Sequence, residues 1–489
     1  MKLHDIPVLS GATRLGHLGE LRGDRLGLFR RMNRERGDVA RILALGSSSV
    51  FVNSPELLHE VLVAKTKHFV KPASLRGPLL SLAGDGLFTS DGELWRRQRK
   101  LMAPLLAHAE IARYAEVMAA CAEEAAAGLR PGEALDAARL TTHIAMRIAG
   151  KALFDAETTD EADELGAALT VALGWANEAI GKWWYSAQLL LATGAYDLVE
   201  RLSPALGARA KPYWDAATEP VHWPGEKSRR YEEAIAVIDR RVARMIEDRR
   251  ASGLARRDLL SLLLSARDDD GGSMSDKQTR DEIVTLFIAG HETTASALAW
   301  ALYLLARHPE AHARARAEAE ALRGRSATAA DLERLGFCLQ VFKEALRLYP
   351  PVYMFGRRVL TDVRIGGYDL PRSTLVLISP WSLHRRPELW PDPERFDPAR
   401  FSPAAEQARH KHAYLPFGGG PRICIGNHFA LMEGPIVLAT LLARADLELA
   451  PSTTVEPELF ATLRPKGGVP MRVTAVRAGP RPAGEARAA

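Results

Sequence analysis

Apolar and polar residues alternate over Val39–Leu45 and again over Ser49–Val52, with Gly46-Ser-Ser between them, which predicts two short strands joined as a hairpin. From Pro55 to about residue 350 the period changes. Apolar positions recur every three or four residues through 111–128, 136–153, 231–250 and 276–307, and that spacing predicts helices. Alternation returns in Val363-Arg-Ile, Tyr368-Asp-Leu and Thr374-Leu-Val-Leu-Ile, divided by Gly366-Gly367 and Pro371, so a second small β region follows the helices. Residues 390–412, rich in Pro, Asp, Arg and Phe without a period, read as an ordered irregular loop, and 478–489 as a disordered tail. The expected fold class is mainly α with small β-sheets.

The clearest single element is the helix predicted over 276–307. Ser275 and Gln278 have the spacing of a capping box, Pro309 closes the far end, and roughly 30 residues span on the order of 45 Å, enough to cross the molecule. Its middle, Phe287-Ile-Ala-Gly-His-Glu-Thr-Thr-Ala, sets a glycine, a carboxylate and two hydroxyls into an apolar run. Polar groups in a buried helix need a reason. A zinc-protease reading of His291-Glu292 fails, because His-Glu-x-x-His requires histidine where Ala295 stands.

Bulk composition narrows the class. A chain of 489 residues suggests two to four domains unless distant segments converge on one site. Hydrophobic residues at 47% and charged residues at 26% give a globular chain with a large core. The formal charge is +5, but Lys and Arg are spread among Asp and Glu without a stripe or interleaved aromatics, which excludes nucleic acid as the expected partner. A locally basic face for an acidic protein, with Arg97, Lys100 and Lys411 among its residues, remains compatible with this balance. Cys121, Cys338 and Cys424 are far apart, odd in number and without CxxC spacing, so neither a disulfide framework nor a zinc ribbon is expected. No start signal and no run of about 20 apolar residues is present, which leads us to expect a cytoplasmic protein without a transmembrane anchor.

The chemistry is concentrated in Phe417-Gly-Gly-Gly-Pro-Arg-Ile-Cys-Ile-Gly426, followed at once by a helical pattern. The Cys424 thiol therefore sits at a helix start, where unpaired N–H groups and the helix dipole favour thiolate. Glycines let a flat, bulky group approach the backbone, and Arg422 offers a forked donor for a carboxylate. A phosphate loop is excluded by the missing Gly-Lys-Ser/Thr ending. Cys121 and Cys338 lack such surroundings and are expected to be inert core thiols.

Every fixed position of Phe-x-x-Gly-x-Arg-x-Cys-x-Gly is filled in 417–426, and on that motif the chain resembles the cytochrome P450 superfamily, of the bacterial, soluble kind, from about residue 37 to about 473. The resemblance implies the fold of that family, with the long helix lying over a haem b (iron protoporphyrin IX) whose axial ligand is Cys424 and whose surroundings include Phe417, Gly418, Arg422 and Gly426. It implies one catalytic domain over 1–477, against the length prior. Ala289 and the pair Glu292-Thr293 look like the oxygen-activation segment, in which acid and alcohol handle protons. Glu344 and Arg347 resemble a buried structural Glu-x-x-Arg pair, completed by Arg395. Trp95 and Arg99, four residues apart, are expected at one propionate, and Arg357 at the other, with Arg358 as its competitor. The expected substrate pocket includes Leu286, Ala289, Val352, Tyr353, Met354 and Leu463, within segments 80–88, 171–224, 352–355 and 461–463. Gly434-Pro435 departs from a smooth helix, and a bend or break is expected there.

The resemblance implies a monooxygenase that uses O2 and electrons from NAD(P)H, delivered by a ferredoxin or flavodoxin with its reductase, to oxidise a hydrophobic small molecule such as a fatty acid or terpenoid. Two other readings share the cysteine loop: an isomerase or dehydratase of hydroperoxides, and a non-enzymatic haem sensor or electron carrier.

Overall fold

The computed structural model describes residues 1–154, 159–252 and 258–477 of the chain, so the expected tail at 478–489 lies outside the described residues. Strands β1 (Val39–Ala44) and β2 (Ser47–Val52) pair antiparallel from Val39 opposite Val52 to Ala44 opposite Ser47. The turn is Leu45-Gly46, both at positive φ (51° and 77°), so it is tighter than the Gly46-Ser-Ser spacing predicts. Two such residues match the natural twist of paired strands. With β3 (Phe69–Val70), β4 (Phe355–Val359) and β5 (Leu375–Ile378) they form a sheet in the order β1-β2-β5-β4-β3. Strand β5 runs parallel to β2 and antiparallel to β4, with Arg357 opposite Val376.

The two-residue alternation of these strands separates two apolar clusters. Val50, Val52, Val359, Val376 and Ile378 pack on one side with Leu58 and Leu62. Phe51 and Leu377 pack on the other with Phe29 and Trp381 from the N-terminal helix and the segment after β5. The expected strands at Val363–Ile365 and Tyr368–Leu370 pair with each other as a separate hairpin. In the region predicted to be irregular, Pro398–Phe401 forms a 3-10 turn and Pro403–Ala408 a short helix capped by Ser402.

The rest is helical, as the spacing predicts. The helices that position the site are α1 (Gly92–Met102), α2 (Ala115–Ala127), α3 (Ala137–Phe154), α4 (Thr159–Ile180), α5 (Trp183–Leu202), α6 (Pro204–Thr218), α7 (Glu226–Ala251), α8 (Asp276–Arg307), α9 (Gly336–Leu348) and α10 (Asn427–Arg444). One large core joins residues of α2, α3, α7, α8, α9 and α10. Two further strands, β6 (Pro457–Leu459) and β7 (Leu463–Pro465), pair near α8.

Helix α8 holds 32 residues and is buried almost throughout its second half. Ser275 caps it by accepting from the Gln278 amide at 3.2 Å, but the Gln278 side chain turns to Arg97, so the expected reciprocal box is half formed. The Ser296 hydroxyl and the Trp300 indole N–H both donate to the Leu463 carbonyl, at 2.8 and 3.2 Å, and tie α8 to β7. Trp300 also stacks on Tyr349 at 3.7 Å between ring centroids.

The break expected at Gly434-Pro435 does not occur: α10 runs unbroken from Asn427 to Arg444. Burial of almost every residue from Met432 to Leu442 offsets the one amide hydrogen bond that proline removes. Gly434 has its own reason, because a Cβ there would lie 2.5 Å from the Phe342 ring of α9.

Candidate active site

Cys424 lies two residues before the cap of α10, after the 3-10 turn Gly420–Arg422. Its amide donates to the Phe417 carbonyl at 2.9 Å and closes the loop, while Gly418 and Gly420 take the positive φ values, 71° and 67°, that the loop needs. Gly420 also packs against the Leu62 carbonyl, which a Cβ would meet at 1.9 Å. Phe417 is half-buried.

The thiol is accessible although it lies deep in the protein. It therefore opens into an interior space, not onto the outer surface. Burial pushes the Cys424 thiol up, against the Gly426 N–H that points at sulfur and the Arg99 charge that both favour thiolate. Burial therefore opposes the thiolate that the helix start favours. Cys121 and Cys338 are fully buried, and burial raises both thiols, as inert core cysteines require.

Helix α8 has an accessible patch of its own. Ala289 is exposed in the middle of that helix, between half-buried Ile288 and Gly290, and a Cβ added at Gly290 would meet nothing within 4 Å. The polar interruption of α8 resolves residue by residue. The buried His291 ring bonds the Phe287 carbonyl at 2.8 Å, and burial lowers its pKa, so it stays neutral. Thr293 donates to the Ala289 carbonyl at 2.7 Å from an exposed hydroxyl. Glu292 turns the other way and accepts from the Thr462 hydroxyl at 3.1 Å, and burial raises its carboxyl. The acid and the alcohol therefore flank the helix without a hydrogen bond between them.

Four cations stand out: Arg99, whose charge acts on Cys424, and Arg357, Arg422 and Lys71, which act on one another. Arg99 is half-buried and has no ion pair or hydrogen bond among the described residues. Arg357, on β4, donates among the described residues only to the Gly356 carbonyl, and burial together with Arg422 pushes its pKa down to about 10. Arg422 pairs with Asp91 at 2.5 Å and stacks over Trp95 at 4.6 Å, yet one of its terminal nitrogens is buried without a partner. Trp95 thus shares the α1 face with Arg99 but acts through Arg422. Lys71 is the fourth, donating to the carbonyls of Leu87 and Ser90; burial, then Arg422 and Arg357, push it down to about 7 against Asp91 and Glu282. Buried cations in excess of nearby carboxylates require anions. The residues fit a haem: a sulfur ligand facing an interior space and a rim able to hold two propionates. Lys71 and Asp91 were not legible in the sequence, since a loop lysine and a helix-capping aspartate carry no spacing. Strand alternation turns Arg358 to the face opposite Arg357, where it pairs with Asp197 at 2.9 Å.

Glu344 and Arg347 are fully buried and joined by two bonds of 2.7 and 2.8 Å, while Arg347 also donates to the carbonyls of His384, Pro393 and Arg395. The arginine expected to complete the pair is misassigned. The Arg395 side chain is 66% exposed and pairs with Asp397, whereas Arg400, 11% exposed, lies 3.7 Å from the Glu344 carboxylate. With its carbonyl turned in toward Arg347, Arg395 sends its side chain outward.

The expected pocket residues divide. Ala289 and Val352 are exposed, and Leu286 and Met354 half-buried. Tyr353 and Leu463 are corrections: both are buried in the cluster beneath the sheet, Tyr353 bonded to the Arg25 guanidinium and Leu463 holding α8 through its carbonyl. Val352 and Tyr353 are adjacent, one exposed and one buried, whereas Leu463 begins β7, which packs on α8. Phe88 adds an exposed ring between buried Leu87 and Thr89. Arg97 and Lys100 are neutralised by Asp268 and Asp269, which leaves them poor members of a basic docking face.

Residues 7–470 match the family model described as Cytochrome P450. Cyclooctatin synthase of Streptomyces melanosporofaciens is 36% identical over 86% of this chain and 85% of its own. Pentalenene oxygenase of Streptomyces avermitilis is 31% identical over 90% of each. Among solved structures, the cytochrome P450DA heme domain superposes with a TM-score of 0.80 at 27% identity, covering 97% of this chain and 98% of that one.

Proposed function

The chain belongs to the cytochrome P450 family, as a haem-thiolate monooxygenase that acts with O2 on a hydrophobic substrate, and from that premise we propose that the substrate is a terpenoid. The relatives named cyclooctatin synthase and pentalenene oxygenase support that choice, as do the incompletely buried apolar side chains Phe88, Leu286, Ala289, Val352 and Met354. We further propose that residues 1–477 form one catalytic domain that works in the cytoplasm with haem b, and that a ferredoxin or flavodoxin and its reductase bring electrons from NAD(P)H.

The observation that carries the reading is the accessible Cys424 sulfur deep in the chain, beside cations that lack anions. When bound, the haem supplies reduction of dioxygen by two electrons, with one oxygen atom entering a C–H bond or alkene and the other leaving as water. Cys424 would supply the sulfur that holds the iron. Arg99, Arg357, Arg422 and Lys71 would hold the propionates, with Trp95 bracing Arg422. Thr293 would offer its hydroxyl to the reaction, and Glu292, whose carboxyl burial pushes up, would pass a proton on after a side-chain rotation away from Thr462. Glu344, Arg347 and Arg400 fix the backbone that leads to the cysteine loop.

Binding spectra with cyclic terpenes, fatty acids, steroids and macrolides test the substrate. Terpenes are expected to displace the sixth ligand and shift the iron to high spin, followed by NAD(P)H-dependent product. Spectral response to fatty acids alone would overturn the terpenoid assignment, and conversion of hydroperoxides without any reductant would overturn the monooxygenase one.

A further inference from the structure

Segment 84–90, between the short helix Leu80–Ala83 and α1, forms neither helix nor strand, yet buried side chains hold its backbone from several sides. Gly84 and Gly86 let it lie directly on α8, since a Cβ there would meet the Asp281 carboxylate at 2.2 Å and the Thr285 hydroxyl at 2.1 Å. The Thr89 hydroxyl donates to the Gly84 carbonyl, and the Gln98 amide of α1 to the Asp85 carbonyl, both at 2.6 Å. Two successive carboxylates of α8 take alternate amides of the segment: Asp281 accepts from Asp85 at 2.9 Å and Glu282 from Leu87 at 2.8 Å.

The two carboxylates differ in what balances them. Asp281 has Lys277 at 2.7 Å and Arg280 at 3.1 Å. Glu282 is fully buried, its Oε1 has no hydrogen-bond partner, and the cation that acts on it is Lys71, which donates to the Leu87 carbonyl at 2.8 Å and to the Ser90 carbonyl at 2.7 Å. Leu87 is thus gripped at its amide by Glu282 and at its carbonyl by Lys71. A buried carboxyl with an empty acceptor is costly, so its place on α8 is explained by the one amide it holds. The next residue is Phe88, 43% exposed between buried Leu87 and Thr89. The Leu87 carbonyl belongs to the planar peptide that carries the Phe88 nitrogen, so the grip fixes the backbone from which that ring projects.

We propose that Glu282 is a positioning residue for specificity: by holding Leu87 against Lys71 it fixes the Phe88 ring, which then selects hydrophobic substrates by shape. This rests on the function proposed above, in which Phe88 meets the substrate. A surface that can repack accepts molecules of several shapes, whereas a fixed one favours those that fit it. Glu282 acts through the backbone alone and touches no substrate.

The haem-loaded full chain is compared with its E282Q and E282L variants. Glutamine keeps an oxygen that accepts from the Leu87 amide; leucine has similar bulk and no acceptor. Spectral titration gives the dissociation constants of cedrene, a rigid tricyclic hydrocarbon, and of pentadecane, a flexible linear one with the same number of carbons. Hydrogen exchange read by mass spectrometry gives the protection of residues 84–90. We expect E282L to change the ratio of the two constants by about tenfold and to speed exchange of the Leu87 amide by about tenfold or more, and E282Q to keep both at wild-type values. With Phe88 already replaced, in F88A, the leucine substitution is expected to leave the ratio unchanged. E282M, also without an oxygen, takes the place of E282L if that variant does not fold. The proposal is overturned if E282L keeps the wild-type ratio or the wild-type exchange, if E282Q behaves like E282L, or if the ratio shifts equally with and without Phe88. A wild type that gives no spectral shift with either hydrocarbon, while its Leu87 amide loses protection only in E282L, contradicts the hydrophobic-substrate reading and supports the grip of Glu282 on Leu87.

Discussion

Arg400→Ala and Arg395→Ala separate the structural assignment of the buried pair from the sequence-based one. The Glu344 carboxylate takes two bonds from Arg347 and one from the Asp397 amide at 2.9 Å, and the Arg400 guanidinium stands 3.7 Å away with only 11% exposure. Two unit charges at about 4 Å interact by about 4 kcal/mol at an effective dielectric of about 20. Part of that is cancelled by the hydration Arg400 gives up, so its removal is expected to cost about 2 kcal/mol, including the bond it donates to the Asp392 carbonyl. Arg395 is 66% exposed and holds one surface pair, which bounds its loss at about 0.5 kcal/mol. Arg347→Ala, which strands a buried carboxylate, is expected to cost about 3–5 kcal/mol. Urea unfolding followed by far-UV circular dichroism reads all three, provided the slopes agree. If Arg395→Ala costs as much as Arg400→Ala, the reasoning is wrong.

Gly434→Ala is expected to destabilise by about 1–3 kcal/mol, because the new methyl meets the Phe342 ring at 2.5 Å; a loss under about 0.5 kcal/mol in urea unfolding would contradict the packing. Glu282 is fully buried, and its carboxyl is pushed up to about 8 by burial, against the Leu87 amide that donates to it at 2.8 Å. The folded state therefore keeps a proton that the unfolded chain releases above its ordinary value of 4.5, so this stability is complete at low pH and is lost as pH rises through about 8. Glu282→Gln, which stays neutral, should match the wild type in thermal midpoint near about pH 5 and exceed it near about pH 9; parallel curves would sink the argument.

Much of this molecule is legible in its sequence because two simple periods dominate it. The β1–β2 hairpin, the 32 residues of α8 and the loop around Cys424 all follow from alternation, helical spacing and glycine placement. The failures have a common cause: they depend on which way a side chain points where no period applies. Arg395 and Arg400 lie in irregular backbone with equivalent charge, and only the carbonyl orientation around Arg347 separates them. Tyr353 and Leu463 stand within segments expected to line the pocket, but both pack into the buried cluster with Phe29, Phe51 and Trp381. Pro435 misleads because a local cost of roughly 3 kcal/mol is small beside the burial of the residues around it. Lys71 emerges only when the loop before α1 is folded against β4, since its partners are distant in the chain.

The ferrous carbonyl spectrum of the purified full chain and of its Cys424→His variant is the most direct test of the central assignment. The account predicts the long-wavelength Soret band of thiolate ligation for the wild type and an imidazole-type band for the variant. An imidazole-type spectrum or no haem in a correctly folded wild type, or a thiolate-type spectrum that survives the substitution, would contradict it.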